Sequence, residues 1–405
     1  LGAALHHAGR NAPTALVVVF MLSTLLPIGL DIGPVAMKPY RLVLLVLFIP
    51  LVMMMLGGRA GRLTLVDGLF LASAGWSALA LFVNHGMAGG LEPAGARIVE
   101  MMGAYMLGRV AIRSGADFQR LVKILFGMVL VLLPFAAIES FTQRALLLEI
   151  LPNSLPKVQM GARLGLWRAQ TVFVHPILYG TFVASAFGLA WYALKPHATL
   201  AGRAARGGIV AAAVFFSLSM GALLAVVIQS ILIAYEWVLR RVPRRWTIFA
   251  IGAVAAYVLV DLVAQKTPFH LLVHRATFSV GSSYMRILIW QHGKENVAEN
   301  PLFGLGMGDW ERPVWMGDSV DNFWLLLAMR YGLPCVILFG LAIVLLIRRI
   351  SLAPLSDPLD RACRAGLLTA LGGLIVAGGT VHYWQALFCY LMLLLGAGGW
   401  MFTGG

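Results

Sequence analysis

Apolar runs of about 20 residues dominate this chain, each bounded by basic residues or by Gly/Pro clusters. A helix rises about 1.5 Å per residue, so such a run matches the ~30 Å hydrocarbon core of a bilayer. The sequence therefore predicts an all-α polytopic membrane protein with about 12 transmembrane helices. The predicted spans are residues 14–30, 39–56, 64–84, 95–112, 118–138, 170–194, 207–218, 219–239, 246–262, 322–349, 362–380 and 383–402.

The composition is that of a chain that lies mostly in lipid. Of 405 residues, 60% are apolar and 12% are charged, whereas soluble domains have about 45–50% apolar and about 25% charged residues. An ordinary soluble enzyme is therefore excluded. The net charge of +14 would suggest nucleic acid in a soluble chain. Here we expect the anions to be lipid head groups or a phosphorylated substrate, and we predict no nucleic-acid partner.

The distribution of Lys and Arg predicts the orientation of the chain. Most basic residues fall on the side of the predicted N-terminus, whereas short loops on the other side hold only Lys38, Arg41 and Arg97. Cytoplasmic loops are the ones enriched in Lys and Arg. Both termini are therefore expected in the cytoplasm, and residues 14–30 are expected to serve as an uncleaved first span.

Two segments predicted on the outer face are much longer than the other connections: residues 139–169 and 263–321. Both are rich in aromatic and basic residues, which is not the composition of a disordered tail. Loops longer than about 12–15 residues usually carry function when they are ordered. We therefore expect residues 1–405 to form one membrane domain with its chemistry on the outer face. Residues 263–321 should carry part of the active site.

Three segments of this outer face combine basic, acidic and aromatic side chains. They are GARLGLWRAQTVFVHPILYG at 161–180, SSYMRILIWQHGKENVAENPLFGLGMGDW at 282–310 and GDSVDNFWLLLAMRYGLP at 317–334. The second segment is predicted to begin as a helix and to end in a tight turn at its glycines. No DxD pair, HExxH motif or closely spaced cysteine cluster occurs. Neither a metal nor a cofactor is therefore expected.

The residue types in these segments indicate anion binding and proton transfer. Arg168 and Arg286 lie near the predicted membrane surface, and a guanidinium can donate two parallel hydrogen bonds to a phosphate. Asp321 could accept a proton from an attacking hydroxyl group. Arg330 and His382 belong to the apolar regions, where ionisable side chains are functional candidates.

Several of these residues also have structural interpretations. An arginine at a helix end, such as Arg163, often anchors that helix at the lipid interface. His175 precedes a proline, so it can cap a helix as readily as it can bind substrate. Arg330 could form an internal ion pair with Asp261 or Glu139.

The end of the second segment and the start of the third form a recognisable pattern. ENPLFGLGMGDW at 299–310 is followed by Asp321, Asn322, nine further residues and Gly332. This combination resembles the C-terminal signature of the O-antigen ligase and Wzy-type polysaccharide polymerase superfamily. In that superfamily a polar pair, usually His-Asn, precedes nine residues and a glycine at the outer mouth of a late span.

Three further segments are similar to the same superfamily. RILIW at 286–290 is similar to its Arg-x3-Trp motif, and WRAQTVFVHP at 167–176 is similar to its arginine-rich segment ending in Asn-Pro or His-Pro. SLSMG at 217–221 resembles its Ser-Arg-Gly turn, with Met220 in place of the arginine. The resemblance covers the chain from about Arg163 to the C-terminus.

The resemblance implies a GT-C-like fold with a large periplasmic loop between spans 9 and 10. It also implies a metal-independent, inverting glycosyltransferase at the periplasmic face of the bacterial inner membrane. Donor and acceptor would both be oligosaccharides linked to undecaprenyl diphosphate. Arg168 and Arg286 would hold the diphosphate, and Asp321 would orient or deprotonate the acceptor hydroxyl. The residues expected to bind substrate around them are Arg163, His175, Tyr284, Trp290, Asn322, Arg330 and His382. The other expected partners are membrane lipids, a flippase and a chain-length regulator.

One departure from the superfamily pattern bears on the reaction. Asp321 stands where ligases typically carry histidine, which favours a polymerase of exopolysaccharide, capsule or O-antigen. The alternative within the superfamily is an O-antigen ligase that transfers glycan to lipid A core or to protein. A flippase or transporter is the alternative from another class, but transporters usually show inverted repeats, and none is visible in this sequence.

Overall fold

The structure, a computed structural model, describes residues 14–32, 35–152, 155, 161–242, 244–263 and 280–403. These residues are helical apart from connecting loops and one small hairpin, in which β1 (Leu30–Ile32) pairs antiparallel with β2 (Val35–Met37). The helices of the first half are α1 (Thr14–Ser23), α2 (Pro39–Leu56), α3 (Leu65–Ile98), α4 (Ala104–Ala111), α5 (Gly115–Thr142), α6 (Leu146–Ile150), α7 (Pro176–Ala184) and α8 (Ala186–Tyr192). Those of the second half are α9 (Leu200–Phe216), α10 (Met220–Val238), α11 (Arg245–Val263), α12 (Val280–Glu299), α13 (Phe323–Leu352), α14 (Pro358–Ala377), α15 (Ala386–Ala397) and α16 (Trp400–Thr403).

Six helical segments among the described residues are long and apolar enough to cross a membrane. They are Pro39–Leu56, Leu65–Ala111, Gly115–Thr142, Met220–Val238, Phe323–Leu352 and Ala386–Thr403. The prediction of a polytopic helical membrane protein is therefore confirmed. The total of about 12 spans, the GT-C-like arrangement and the membrane sidedness stay predictions.

The longest of these segments folds back on itself. Leu65–Ala111 has 47 residues, which as a straight helix would measure about 70 Å, more than twice a bilayer core. Asp67 and Arg109 at its two ends nevertheless form an ion pair of 2.8 Å. The reversal is centred on Gly86, whose φ of 67° few other residues adopt. The segment thus contains two antiparallel helical stretches, corresponding to the predicted spans 64–84 and 95–112.

Two other predicted spans need correction. The first helix ends at Ser23 rather than at residue 30, and the chain continues into the β-hairpin. The span predicted at 170–194 begins only at Pro176, because residues 161–175 form turns, and it is interrupted at Ser185. The span predicted at 383–402 agrees with the apolar segment Ala386–Thr403, which consists of α15 and the short α16. The predicted break within SLSMG is confirmed, since α9 ends at Phe216 and α10 begins at Met220.

The helix termini gather at two ends of the bundle. At one end the start of α5 contacts the start of α14, where Cys363 Sγ lies 3.6 Å from the carbonyl of Gly115. At the other end the Ser140 hydroxyl, near the end of α5, donates to the carbonyl of Phe216, the last residue of α9. The amide of Phe323 at the start of α13 donates there to Gly378, just beyond α14. This second end, which we call the site end, brings together the segments predicted to face outward.

A buried ion pair holds the opposite end together. The fully buried guanidinium of Arg109 donates from Nε and Nη2 to the two carboxylate oxygens of Asp67, at 2.8 and 3.2 Å. Its remaining hydrogen bonds go to the carbonyls of Ala60 and Arg62. The Tyr105 hydroxyl also donates to Asp67 at 2.8 Å. Removing the carboxylate would leave a buried cation without its counter-charge.

We expect Asp67→Ala to lower the free energy of unfolding by about 3–5 kcal/mol, because breaking a buried pair leaves one charge uncompensated. The matched control is Glu149→Ala, which removes the exposed pair with Arg144 and should cause no measurable loss. Unfolding of the purified proteins in mixed micelles measures both changes. Equal stability of the two variants would contradict a structural role for the Asp67–Arg109 pair.

Candidate active site

Three arginines and one aspartate form a cluster at the site end. Arg163 and Arg168 belong to the turns before α7, Arg286 lies on α12, and Asp321 precedes α13. The four side chains lie close enough for their charges to interact. Burial and repulsion from Arg163 and Arg286 together lower the pKa of Arg168 to about 10, although the charge of Asp321 opposes them. Three cations against one carboxylate leave an excess of positive charge suited to a polyanion.

The turn between α9 and α10 orients two of these arginines. Arg163 Nη1 donates to the carbonyl of Leu218 at 2.8 Å, and Arg168 Nε donates to the carbonyl of Ser217 at 3.4 Å. Leu218 has a φ of 45°, which turns the chain sharply between the two helices. The SLSMG segment therefore contributes backbone carbonyls to the cluster, whichever side chain stands at position 220.

Glu139 fixes the segment that carries Arg168. Its two carboxylate oxygens accept hydrogen bonds from the amides of Gln170 and Thr171, at 3.0 and 2.9 Å. The ion pair between Arg330 and Glu139 that the sequence left open is therefore not formed. The side chain of Asp261, the other partner considered for Arg330, lies outside the described residues.

Arg286 offers a donor to a ligand. Its Nε is buried and has no hydrogen-bond partner among the residues that the structure describes. Burial lowers the pKa of Arg286, and the charge of Asp321 offsets only part of this effect. Asp321 itself accepts a hydrogen bond from the Ser319 hydroxyl at 3.3 Å. A buried donor left unpaired is costly, so an oxygen atom of a bound anion would stabilise this arrangement.

The neighbours of Arg286 on α12 take different positions. Trp290 is one helical turn further on, the spacing that puts two side chains on one face. It packs against a small apolar cluster that includes Met316 and Val320. Tyr284, two residues before Arg286, has an exposed fraction of 59%. The predicted helix in this segment is thus confirmed, as is the predicted turn after it, where Gly304 and Gly306 have positive φ.

The DN-x9-G pattern has a structural explanation at both ends. The Asn322 side chain caps α13 by accepting from the amide of Leu325 at 3.0 Å. Gly332 breaks the same helix with a φ of 79°, and a Cβ there would lie 2.0 Å from the carbonyl oxygen of Leu302. Asn322 and Gly332 thus have structural roles at the two ends of the helical stretch that follows Asp321. Asp321 is the remaining member of the pattern and is the one that can take part in the reaction.

His175 also has a capping role. Its Nδ1 accepts from the amide of Ile177 at 3.1 Å and so caps α7. Burial, followed by repulsion from Arg168 and Arg163, lowers its pKa to about 4. The imidazole is therefore neutral at pH 7, as an acceptor at a helix N-terminus must be. An asparagine oxygen could make the same hydrogen bond, which explains why Asn-Pro and His-Pro can be equivalent in the motif.

We expect the His175→Asn variant to keep the cap and to be less sensitive to acid than the wild type. Between the unfolded pKa of about 6.5 and the folded value of about 4, only the unfolded chain is protonated at position 175. Wild-type stability is therefore lost as the pH falls through this interval, by up to about 1.4 kcal/mol per unit. Melting temperatures at pH 7 and pH 5 measure the difference. His175→Ala should be about 1 kcal/mol less stable than His175→Asn at both pH values, because it lacks the cap. Identical pH profiles for wild type and His175→Asn would contradict this account.

A cavity of about 550 Å³ opens beside the arginine cluster. Trp384 connects the two, because its ring lies 6.2 Å from that of His175 and 4.8 Å from that of His382, between centroids. Burial and the charges of Arg330 and Arg97 lower the pKa of His382 to about 3. The polar and aromatic residues that line the cavity are Arg41, Glu92, Arg97, Glu100, Phe323, Arg330, Tyr331, His382, Tyr383, Trp384, Gln385 and Phe388.

Arg330 and His382 were singled out from the sequence, but Arg97 and Trp384 were not. Arg97 and Glu100 both fall within the predicted span 95–112, but the sequence analysis used only Arg97, as one of the few basic residues of the short outer loops. The rule that ionisable residues in membrane segments are functional candidates, already used for Arg330, would have found them.

The fold is that of a multi-pass helical membrane protein, and its site end carries a basic, partly buried pocket. The family model described as O-antigen ligase matches residues 207–340, about a third of the chain. The match includes Arg286, Asp321 and Gly332 and confirms the resemblance seen in the sequence. It supports an enzyme of the glycan ligase or polymerase type that acts on lipid-linked glycans. No curated protein matches the chain.

Proposed function

We propose that this chain is a polymerase of bacterial exopolysaccharide, capsule or O-antigen. It transfers a glycan from undecaprenyl diphosphate to a second lipid-linked repeat unit at the periplasmic face of the inner membrane. The observation that carries the proposal is the partly buried arginine cluster with Asp321 beside it, in which Arg286 Nε is buried and has no partner among the described residues.

The reaction is a single displacement at the anomeric carbon. A hydroxyl oxygen of the acceptor forms the new bond to this carbon, and the bond from the carbon to the diphosphate oxygen breaks. Undecaprenyl diphosphate leaves with the bonding electrons, and attack from the opposite face inverts the configuration. The hydroxyl proton passes to the carboxylate of Asp321, which acts as the general base.

The arginines stabilise the charge that develops on the leaving diphosphate. Pre-organised cations act most strongly where charge appears in the transition state and water is excluded. Arg168 meets this condition because only 7% of its surface is exposed. Backbone carbonyls hold both it and Arg163 in place before substrate binds.

The reaction is proposed to need no metal. Among the described residues, no group of three or more His, Cys, Asp or Glu side chains is placed to hold one. The guanidinium groups supply the positive charge that a divalent ion provides in other glycosyltransferases. Transfer by the purified protein should therefore continue in EDTA, and loss of transfer that a divalent ion restores would contradict this part of the proposal.

The family description favours a second candidate, an O-antigen ligase. The two functions differ in the acceptor: a lipid-linked repeat unit for a polymerase, lipid A core or a protein for a ligase. Asp321 in place of the usual histidine favours the polymerase.

The decisive experiment supplies the purified protein with lipid-linked repeat units alone. A polymerase is expected to produce a ladder of lipid-linked polymers. Cells that lack the protein should accumulate single repeats. Transfer only when lipid A core or a protein acceptor is added, or accumulation of long unattached polymer in the cells, would identify a ligase instead.

A further inference from the structure

Arg97 lies at the wall of the cavity, apart from the arginine cluster, and its guanidinium is partly buried. This group lies over two aromatic rings, with its central carbon 4.3 Å from the centroid of Phe388 and 5.0 Å from that of Tyr331. These contacts fix its orientation. Its Nε and Nη2 are buried and have no hydrogen-bond partner among the described residues.

These two nitrogens form the edge with which other arginines of this chain hold carboxylates. Arg109 uses Nε and Nη2 to bind both oxygens of Asp67. Arg41 uses the same two atoms to bind Glu100, at 2.9 and 2.7 Å. In Arg97 this two-donor edge is unused. Its geometry fits a planar or tetrahedral anion that presents two oxygens.

The surroundings of Arg97 do not supply that anion. Glu100, three residues further along the helix, is bound by Arg41. His382 is neutral at pH 7 because of its lowered pKa, and Arg330 adds another positive charge to the cavity wall. Glu92, the other carboxylate of the cavity wall, is exposed and forms no ion pair with Arg97. Within the described part of the chain, the guanidinium of Arg97 therefore lies against aromatic faces without forming an ion pair. A partly buried cation of this kind calls for a negative ligand.

We propose that Arg97 binds a two-oxygen anion, a carboxylate or a phosphate, on the lipid-linked glycan that occupies the cavity. The inference rests on the proposed function, to which it adds a requirement for an acidic group on the substrate. The volume of about 550 Å³ is within the usual range for small-molecule sites, and the Trp384 ring offers an aromatic face in the wall of the same cavity. The carboxylate of an acidic sugar and the diphosphate of the acceptor lipid are the two sources of such an anion.

Binding of two simple probes to the purified full-length protein in nanodiscs tests this inference. Glucuronate, with neutral glucose as its matched control, represents the acidic sugar, and inorganic pyrophosphate represents the lipid diphosphate. Pyrophosphate is measured in the Arg286→Ala background, so that the arginine cluster does not mask the cavity. Ligand-observed NMR titrations of Arg97→Gln, Arg97→Lys and the exposed control Arg144→Gln give the affinities.

We expect Arg97→Gln to weaken one probe at least about tenfold, since hydrogen bonds to charged groups are among the stronger ones. Arg97→Lys keeps the charge beside the rings but loses the two-donor edge, so it should weaken the same probe severalfold. It also keeps the test decisive if Arg97→Gln fails to fold. Loss of glucuronate binding identifies an acidic sugar, and loss of pyrophosphate binding identifies the acceptor diphosphate.

Unchanged affinity for both probes in the Arg97 variants would overturn the inference and leave Arg97 as an aromatic-stacking contact. Wild-type affinity in Arg97→Lys would overturn it as well, because it would show that the two-donor edge is not used. Neither probe is transferred, so these results are independent of catalysis. A failure here leaves the proposed transferase standing if Arg286 proves essential for transfer.

Discussion

Arg286→Lys is expected to lower turnover on lipid-linked repeat units at least tenfold, although it keeps the positive charge. Lysine presents a single ammonium in place of the planar fork, and it cannot reproduce a two-point contact with a phosphate. Arg286→Ala should cost a factor of about 10² to 10³, the usual effect of removing one pre-organised donor from a developing anion. The buried, unpartnered Nε of Arg286 is the structural reason for both expectations.

The matched control is Arg144→Lys, which changes an exposed arginine paired with Glu149. Turnover of this variant should equal that of the wild type. Purified protein and initial rates of polymer formation give the comparison, after melting curves have shown that each variant is folded. Equal rates for Arg286→Lys and wild type would mean that charge alone, without directed hydrogen bonds, is needed at this position.

Asp321→Asn is expected to reduce turnover by about 10²- to 10⁴-fold while donor binding stays normal, because the amide keeps the size of the side chain and loses its basicity. Asp318→Asn is the neighbouring control, since Asp318 is exposed and should tolerate the change. The split between kcat and KM for the acceptor separates two roles. A loss confined to kcat indicates a base, whereas a higher KM with kcat retained would show that Asp321 only positions the acceptor.

The sequence predicted those features of the fold that depend on local pattern. The apolar runs at 39–56 and 246–262 agree closely with α2 and α11, because span length and flanking charges are local properties. The helix around Arg286 and the break in SLSMG were predicted for the same reason. The first span and the span at 170–194 were misplaced, because hydropathy does not distinguish an apolar helix from apolar turns and strands.

The cavity depends on contacts between residues far apart in sequence. Arg97 faces Phe388 and Tyr331 only because the chain reverses at Gly86 and brings the second half of α3 against α13 and α15. No spacing in the sequence encodes such a contact. The capping roles of His175 and Asn322 could be anticipated from the residues that follow them, and for His175 capping was indeed one of the two interpretations left open.

The central claim is that Arg168, Arg286 and Asp321 act together on one diphosphate leaving group. The most direct test is the rate of polymer formation by purified Arg168→Ala, Arg286→Ala and the double variant under single-turnover conditions. Each single change is expected to cost about 10²-fold or more, and the double variant should lose less than the product of the two, because groups that act on one charge are not additive. Near-wild-type polymer formation by the folded single variants would contradict the claim.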